Sequence, residues 1–580
     1  MELAPFLIIV ISALALNAVA RRFALPGPLL VVTVALAASL LPFVPEIEFQ
    51  PEVILTIVLP PLLYSAALGV SFQSFAASIR HIWRLGIVLV ILTTVVVGFV
   101  ANLLLPGLGL AAGLLIGAIV APPDAVSATA IGHRLGLPRR VMTVLAGESL
   151  INDAASLTLF RFFLAIAGGA TASIAEGLWI FGVAIIGGVG LGLAVGFLVL
   201  WIRTHVADPT IETTIGLLLP FVAYIGAEQF GGSGVLAVVA AGLVIGYNSP
   251  KLSYASRLQE KPIWDAIDVI LEGFVFALIG LQLHAVIGDL SATEDGLTST
   301  LTAAFVILGT VILVRPIYVF ASYYWAKSRA QADVARWERR IARVPVEKRA
   351  RLQSRLRQRQ DPPFSWQELT VISWTGMRGV VTLAAAASIP TAAASGISTD
   401  ERNTIFLIAF VVTVGTLIIQ GLTLPLLIRW LGVRDDGQAQ RDLESEARLN
   451  RLAVDEAMAY LASRRDELSQ TFGPDKIDKV FRVINDRLQR EAVAFEAQIA
   501  EDEAEAVVGR SDSTEAGELS SSSADAITSL RLELLRKRRE LIVRERDAGR
   551  VDEEVMRRLL LGLDAEELAM DTSARARAQR

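Results

Sequence analysis

The chain has no cysteine and only four histidines in 580 residues. The first absence excludes disulfides, thiol nucleophiles, cysteine-held zinc and iron–sulfur clusters. The histidines (His81, His133, His205 and His284) lie far apart, so no histidine metal cluster is expected. Charge is also scarce: 19% of residues are charged against 53% hydrophobic, with a mean hydropathy of +0.54. Soluble chains carry about a quarter charged residues, so this composition describes a polytopic membrane protein. Such charge as there is gathers at the end, where residues 432–580 hold 25 of the 53 lysines and arginines and 33 of the 58 acids. The expected organisation is a membrane body over 1–431 and a soluble, acidic, helical tail over 432–580.

A bilayer core takes about 20 apolar residues as helix, and only helices or closed barrels satisfy their backbone there. The apolar runs are of helix length, which predicts an all-α protein. Thirteen spans are expected, near 3–20, 28–44, 52–69, 84–105, 108–131, 141–168, 177–202, 210–230, 234–247, 263–284, 299–325, 367–390 and 403–431. Met1-Glu2-Leu3 lacks the positive start of a cleaved signal, so the first span is expected to be retained. Alternate loops carry the basic residues: Arg21 and Arg22, then Arg80 and Arg84, then Arg134, Arg139 and Arg140, then Arg203, then Lys251, Arg257 and Lys261, then the basic stretch 326–366. The intervening loops carry Glu46, Glu48, Glu52, Glu176, Asp289, Glu294, Asp295, Asp400 and Glu401, with Arg402 the one basic residue. Basic loops mark the cytoplasmic side. The expectation is a multi-pass cell-membrane protein with its N-terminus outside and its tail in the cytoplasm.

The stretch 326–366 reads either as a basic helix on an anionic leaflet or as a solvated loop. In the tail, helices are expected over 441–508 and 526–569, with a serine-rich linker over 511–524 between them. Leu530, Leu534, Leu535 and Ile542 form a stripe for a packing partner.

An ionisable side chain at mid-bilayer costs at least about 2.5–3.5 kcal/mol, so those that persist line a path or pair with each other. In the sixth span Ser149, Asn152, Asp153 and Ser156 recur at i, i+3, i+4 and i+7, which puts four oxygen-bearing groups on one helix face. Hard oxygens suit a small hard cation and a proton acceptor. In the fifth span Pro122 and Pro123 precede Asp124. Two prolines remove two backbone donors, so the helix is expected to break, with Asp124 both capping the second half and attracting cations. In the twelfth span Gly376-Met377-Arg378-Gly379 predicts a second break, its arginine neutralising carbonyl ends. The two spans run in opposite directions, the geometry of an inverted repeat whose crossing broken helices hold a site near the midplane. Glu148 and Arg315 are expected to form a buried pair, since either alone would be costly. Glu272 either lines a vestibule or serves as a polar helix contact.

Gly147-Glu148-Ser149-x-x-Asn152-Asp153, Pro123-Asp124-x-Val126, Gly376-x-Arg378-Gly379 and Arg315-Pro316 occur in the order and span number of the sodium/proton exchangers, the electroneutral cation:proton antiporters of NhaP and NHE type. The chain resembles that family over about residues 1–431. The resemblance implies a homodimer of thirteen-helix protomers, each with a dimerisation domain and a moving six-helix core. It implies that Asp153 carries sodium or a proton, with Asn152 beside it, Ser149 a ligand, and Glu148 and Arg315 a structural pair. The chain departs from the family at two places. Pro123 replaces a threonine common before the aspartate, leaving only its carbonyl as a ligand, and Ser65 stands where relatives often carry glutamate.

With one exchangeable carboxylate, a cation and a proton compete for Asp153. The expected activity is electroneutral exchange of sodium or lithium for protons, serving pH and sodium homeostasis. Potassium/proton exchange is the alternative, followed by a cation channel. No nucleophile–base or catalytic metal pattern points to an enzyme, and neither a cofactor nor a nucleic-acid partner is expected.

Overall fold

The computed structural model describes residues 3–23, 26–42, 53–169, 174–283, 294–341, 364–390, 397–435, 437–472, 482 and 521–578. The described residues form helices and no strand. Each apolar segment read from the sequence falls on helix: α1 (Leu3–Arg22), α2 (Gly27–Ser39), α3 (Ile54–Gly69), α4 (Phe72–Leu104), α5a (Gly109–Val120) and α5b (Ala125–Leu135), and α6 (Arg139–Ala167). There follow α7 (Ile174–His205), α8 (Pro209–Gln229), α9 (Gly234–Asn248), α10 (Tyr254–Leu281), α11 (Glu294–Ile341), α12a (Trp366–Trp374) and α12b (Val380–Ala387), and α13 (Thr399–Leu431). Seven of these helices are long and apolar enough to cross a membrane, and three shorter ones are apolar.

Local chemistry sets the ends. Asp208 accepts from the backbone N–H of Thr210 at 2.7 Å to start α8, and Ser233 and Ser253 start α9 and α10 in the same way. Reciprocal capping boxes, Ser365 with Glu368 and Ser398 with Glu401, start α12a and α13. Gly432, with φ +64°, closes α13 in the left-handed conformation.

The helices pack as two bundles. α1, α2, α3, α7, α8, α9 and α10 form one, and α4, α5a, α5b, α6, α11, α12a, α12b and α13 the other. Close approach within the second bundle depends on small residues: a Cβ at Gly117 of α5a would collide with the carbonyl of Thr94 in α4.

Several expected boundaries shift. The fourth span begins earlier, at Phe72, because Ser71 caps an amphipathic turn that runs on into the apolar helix. The eleventh continues to Ile341, so the first part of the basic stretch is helical; residues 342–363 lie outside the described residues, as do His284 and most of the serine-rich linker. Arg203, counted above as a loop charge, is buried inside the first bundle, where Glu260 accepts from it at 2.9 Å and Ser256 at 3.1 Å.

The tail forms α14 (Gln438–Phe472), α15 (Ser521–Asp547) and α16 (Glu553–Ala578). The single helix expected over 526–569 is a hairpin, because Gly549 adopts φ +68° and Asp552 caps the next helix through the N–H of Glu554 at 3.2 Å. The leucine stripe finds its partner within the chain: Leu530 and Leu534 pack on Val454, Ala457 and Leu461, while Leu535 and Ile542 pack on Met556 and Leu560.

The tail also docks on one end of both bundles. Asp564 receives a bidentate hydrogen bond from Arg257 of α10, and Arg546 donates to the Tyr247 carbonyl of α9 at 2.7 Å. Asp442, Asp552 and Glu554 surround Arg139 at the start of α6, at 2.5, 3.2 and 2.7 Å. Between the bundles, Glu553 accepts from the Phe72 N–H at 2.9 Å.

Candidate ion site

The break in the fifth span is a problem of orphaned carbonyls, and the structure answers it group by group. Pro122 and Pro123 cannot donate to the carbonyls of the preceding turn. The hydroxyl of Ser156 donates to the Ala118 carbonyl at 2.8 Å in place of the missing N–H. Arg378 donates through Nε to the Val120 carbonyl at 2.9 Å and through Nη2 to the Ala121 carbonyl at 3.3 Å. The Asp124 N–H crosses to the Met377 carbonyl at 2.6 Å. The two breaks therefore meet backbone to backbone.

The second break, residues 375–379, is held by the same economy of donors. The Arg378 N–H donates to the Thr416 hydroxyl at 3.0 Å, and its Nη1 donates to the Gly376 carbonyl. Gly379 has to be glycine where the breaks cross, because a Cβ there would lie 2.6 Å from Cβ of Asp124. Arg315 donates twice to Glu148, with Nη2 to Oε2 at 2.8 Å, and its Nε reaches the Ile372 carbonyl at 3.1 Å. Glu148 and Arg315 are both buried, and the pair ties α6 to α11.

Asp153 stands one turn along α6 from Glu148 in a different condition. It is 8% exposed, and among the described residues none donates to its carboxylate. It faces a cavity of about 130 Å³ between the bundles, whose polar lining is Asp124, Thr129, Ser149, Asp153, Glu272 and Thr382. Apolar residues of α3, such as Leu59 and Leu63, complete the wall. An ionised carboxylate in such surroundings is expensive unless something neutralises it, and a monovalent cation and a proton are equivalent in charge.

The residues singled out from the sequence separate into two groups. Asp153, Ser149, Asp124 and Glu272 share the cavity. Asn152 and Pro123 are spent on each other, the Asn152 amide donating to the Pro123 carbonyl at 2.6 Å, which leaves buried Asn152 Oδ1 without a partner. Ser65 turns away from the cavity and donates to Asp268 of α10 at 2.5 Å. Asp268, Thr382 and Thr416 escaped the sequence reading. For Asp268 a signal was available, since it lies four residues before Glu272 and so on the same helix face.

A family model described as sodium/hydrogen exchanger, transmembrane, matches residues 7–430. The Na(+)/H(+) antiporter ApNhaP of Aphanothece halophytica is 30% identical over 440 residues, 75% of either chain. An uncharacterized Na(+)/H(+) exchanger of Mycobacterium tuberculosis is 29% identical over 553 residues, 95% of this chain and 93% of that one, so the likeness extends through the tail. A sodium, potassium, lithium and rubidium/H(+) antiporter of Bacillus pumilus is 27% identical over 456 residues, covering 77% of this chain and 64% of that protein. Among solved structures, the sodium proton antiporter MjNhaP1 from Methanocaldococcus jannaschii has the same fold, with a TM-score of 0.54 at 20% identity over 74% of this chain and 98% of that one. A multi-pass helical body with two crossing broken helices, together with a family match over nearly all of it, places this chain in the sodium/hydrogen exchanger family, whose members are cation/proton antiporters and not enzymes.

Proposed function

We propose that the protein exchanges sodium or lithium for protons across the cell membrane, one for one, with Asp153 as the carboxylate both ions share. The observation that carries this reading is the contrast on α6: Glu148 is consumed by Arg315, while Asp153 faces the cavity with no donor among the described residues. Ser149 and Asp124 add oxygens beside it. Asn152 stands where a second acid would make the exchange carry net charge, and its amide props the break instead. Competition at one carboxylate gives no net charge movement per cycle and suits pH and sodium homeostasis.

The reading includes a homodimer, with the N-terminus outside and the tail in the cytoplasm. The outer face of α7, which exposes Trp179, Ile186, Phe197 and Trp201, is available to lipid or to a second copy. Potassium/proton exchange is the second reading, favoured by the breadth of ions in the name of the Bacillus pumilus relative.

The test is cation-dependent dequenching of a pH-sensitive dye in everted vesicles, titrated with sodium, lithium and potassium across pH. Competition predicts that half-saturating sodium rises as pH falls while the maximal rate holds. A response to potassium alone would replace sodium in this reading, and current without coupled proton movement would replace antiport with a channel.

A further inference from the structure

Threonines in the membrane helices, buried or exposed, have a standard outlet for the hydroxyl proton, the carbonyl four residues earlier. Thr94 donates to Val90 at 2.8 Å, Thr158 to Ala154 at 2.7 Å, Thr310 to Val306 at 2.8 Å and Thr423 to Ile419 at 2.6 Å. Thr382 has lost that outlet. Four residues before it is Arg378, which lies in the break, outside the helix that begins at Val380. Thr382 is 1% exposed, and its Oγ1 is buried without a hydrogen-bond partner. Thr413 also has an unpartnered hydroxyl, but it does not line the cavity, whereas Thr382 does.

A buried hydroxyl with no partner costs free energy; its oxygen lone pairs are open to a cation, and its proton is free to meet a water arriving with that cation. The position of Thr382 indicates which ligand. It stands one turn beyond Gly379, the residue that touches Asp124 at the crossing of the breaks, and it shares the cavity with Asp153 and Ser149 of α6. At the opposite break the Pro123 carbonyl already accepts from Asn152, which leaves it one lone pair to offer. Small hard cations are held by several oxygens at once, and a hydroxyl oxygen is a neutral member of such a set.

Resting on the reading of the cavity as the site of cation/proton exchange, we propose that Thr382 Oγ1 is a direct ligand of the transported cation, supplied by α12b opposite Asp153 and Ser149. The second broken helix then does two things: Arg378 stabilises the break, and Thr382 selects the ion. The hydroxyl contributes to cation binding and leaves proton binding at Asp153 unaffected, so its removal separates the two competitors.

The experiment uses full-length protein in proteoliposomes, with wild type, Thr382→Val and Thr382→Ser compared for half-saturating sodium and lithium and for maximal rate. Thr382→Val is expected to raise half-saturating sodium about tenfold, the equivalent of one lost hydrogen-bond-strength contact. Thr382→Ser is expected to stay near wild type. In detergent, the sodium-induced rise in melting temperature should shrink in the valine variant and persist in the serine variant, which a purely structural role would not produce. Should valine prevent folding, Thr382→Ala is read in the same assays. An unchanged half-saturating sodium in Thr382→Val, or in Thr382→Ala where valine does not fold, overturns the assignment. Wild-type protein that moves no protons in response to any cation overturns the antiport reading itself, and this assignment with it.

Discussion

Each bundle buries charge, but the two use it differently. In the first bundle Arg203 is paired through both terminal nitrogens, to which Glu260 and Ser256 accept, while its buried Nε has no partner; Glu212 stands 4.0 Å away with its own oxygens taken by the N–H and hydroxyl of Ser253. Glu212 also lies in the first turn of α8, where the helix end favours negative charge. In the second bundle Glu148 and Arg315 are more completely matched, with Arg315 Nε also on the Ile372 carbonyl, and Arg378 is satisfied by carbonyls alone. Asp153 of α6 differs from these, and Glu272 of α10 shares its condition: each lines the cavity with no donor among the described residues. A buried pair whose members are matched ties helices together; a carboxylate facing the cavity without such a partner, Asp153, is the group proposed here for exchange.

The comparison can be broken at several points. Asp153→Asn should abolish cation-driven proton movement in everted vesicles, a loss of at least about 100-fold, while the purified protein unfolds at or above the wild-type temperature because a costly charge is gone. Substantial exchange in that variant would place the carrier elsewhere. Glu148→Gln should instead destabilise the fold by about 3–5 kcal/mol, because it leaves Arg315 buried and unmatched. The measurement is the yield of monodisperse protein and its melting temperature. Arg203→Met should cost a similar amount, yet the molecules that do fold should keep the wild-type half-saturating sodium. A shift in ion affinity there would mean that Arg203 and its partners are coupled to the site. Smallest of all, Glu554→Gln removes one of three acids around Arg139, and its side chain is 57% exposed. Thermal unfolding should change by less than about 1 kcal/mol.

What could be read from the sequence follows a physical rule. The breaks were legible because Pro122, Pro123 and the Gly376-x-Arg378-Gly379 run act on their own backbone. The stripe of Ser149, Asn152, Asp153 and Ser156 was legible because helical spacing alone puts those residues on one face. Arg203 was not, since its helix runs through a charged end that hydropathy reads as loop. Thr382 was not either, because what distinguishes it is an acceptor removed by the break, and an ordinary threonine in an apolar run shows nothing of that. The pairing of Ser65 with Asp268 joins α3 to α10 across 203 residues of sequence, beyond any local pattern. The tail hairpin turned on a single left-handed glycine, Gly549, within an otherwise unbroken helical pattern.

The docking of the tail carries a thermodynamic consequence. One helical hairpin grips Arg257 of the first bundle and Arg139 of the second, so the spacing between those two arginines is part of its binding energy. Any rearrangement that changes this spacing has to strain or release one grip. Reciprocity then requires that conditions loosening the tail ease such a rearrangement by the same free energy, and that whatever holds the bundles in their present spacing tightens the tail.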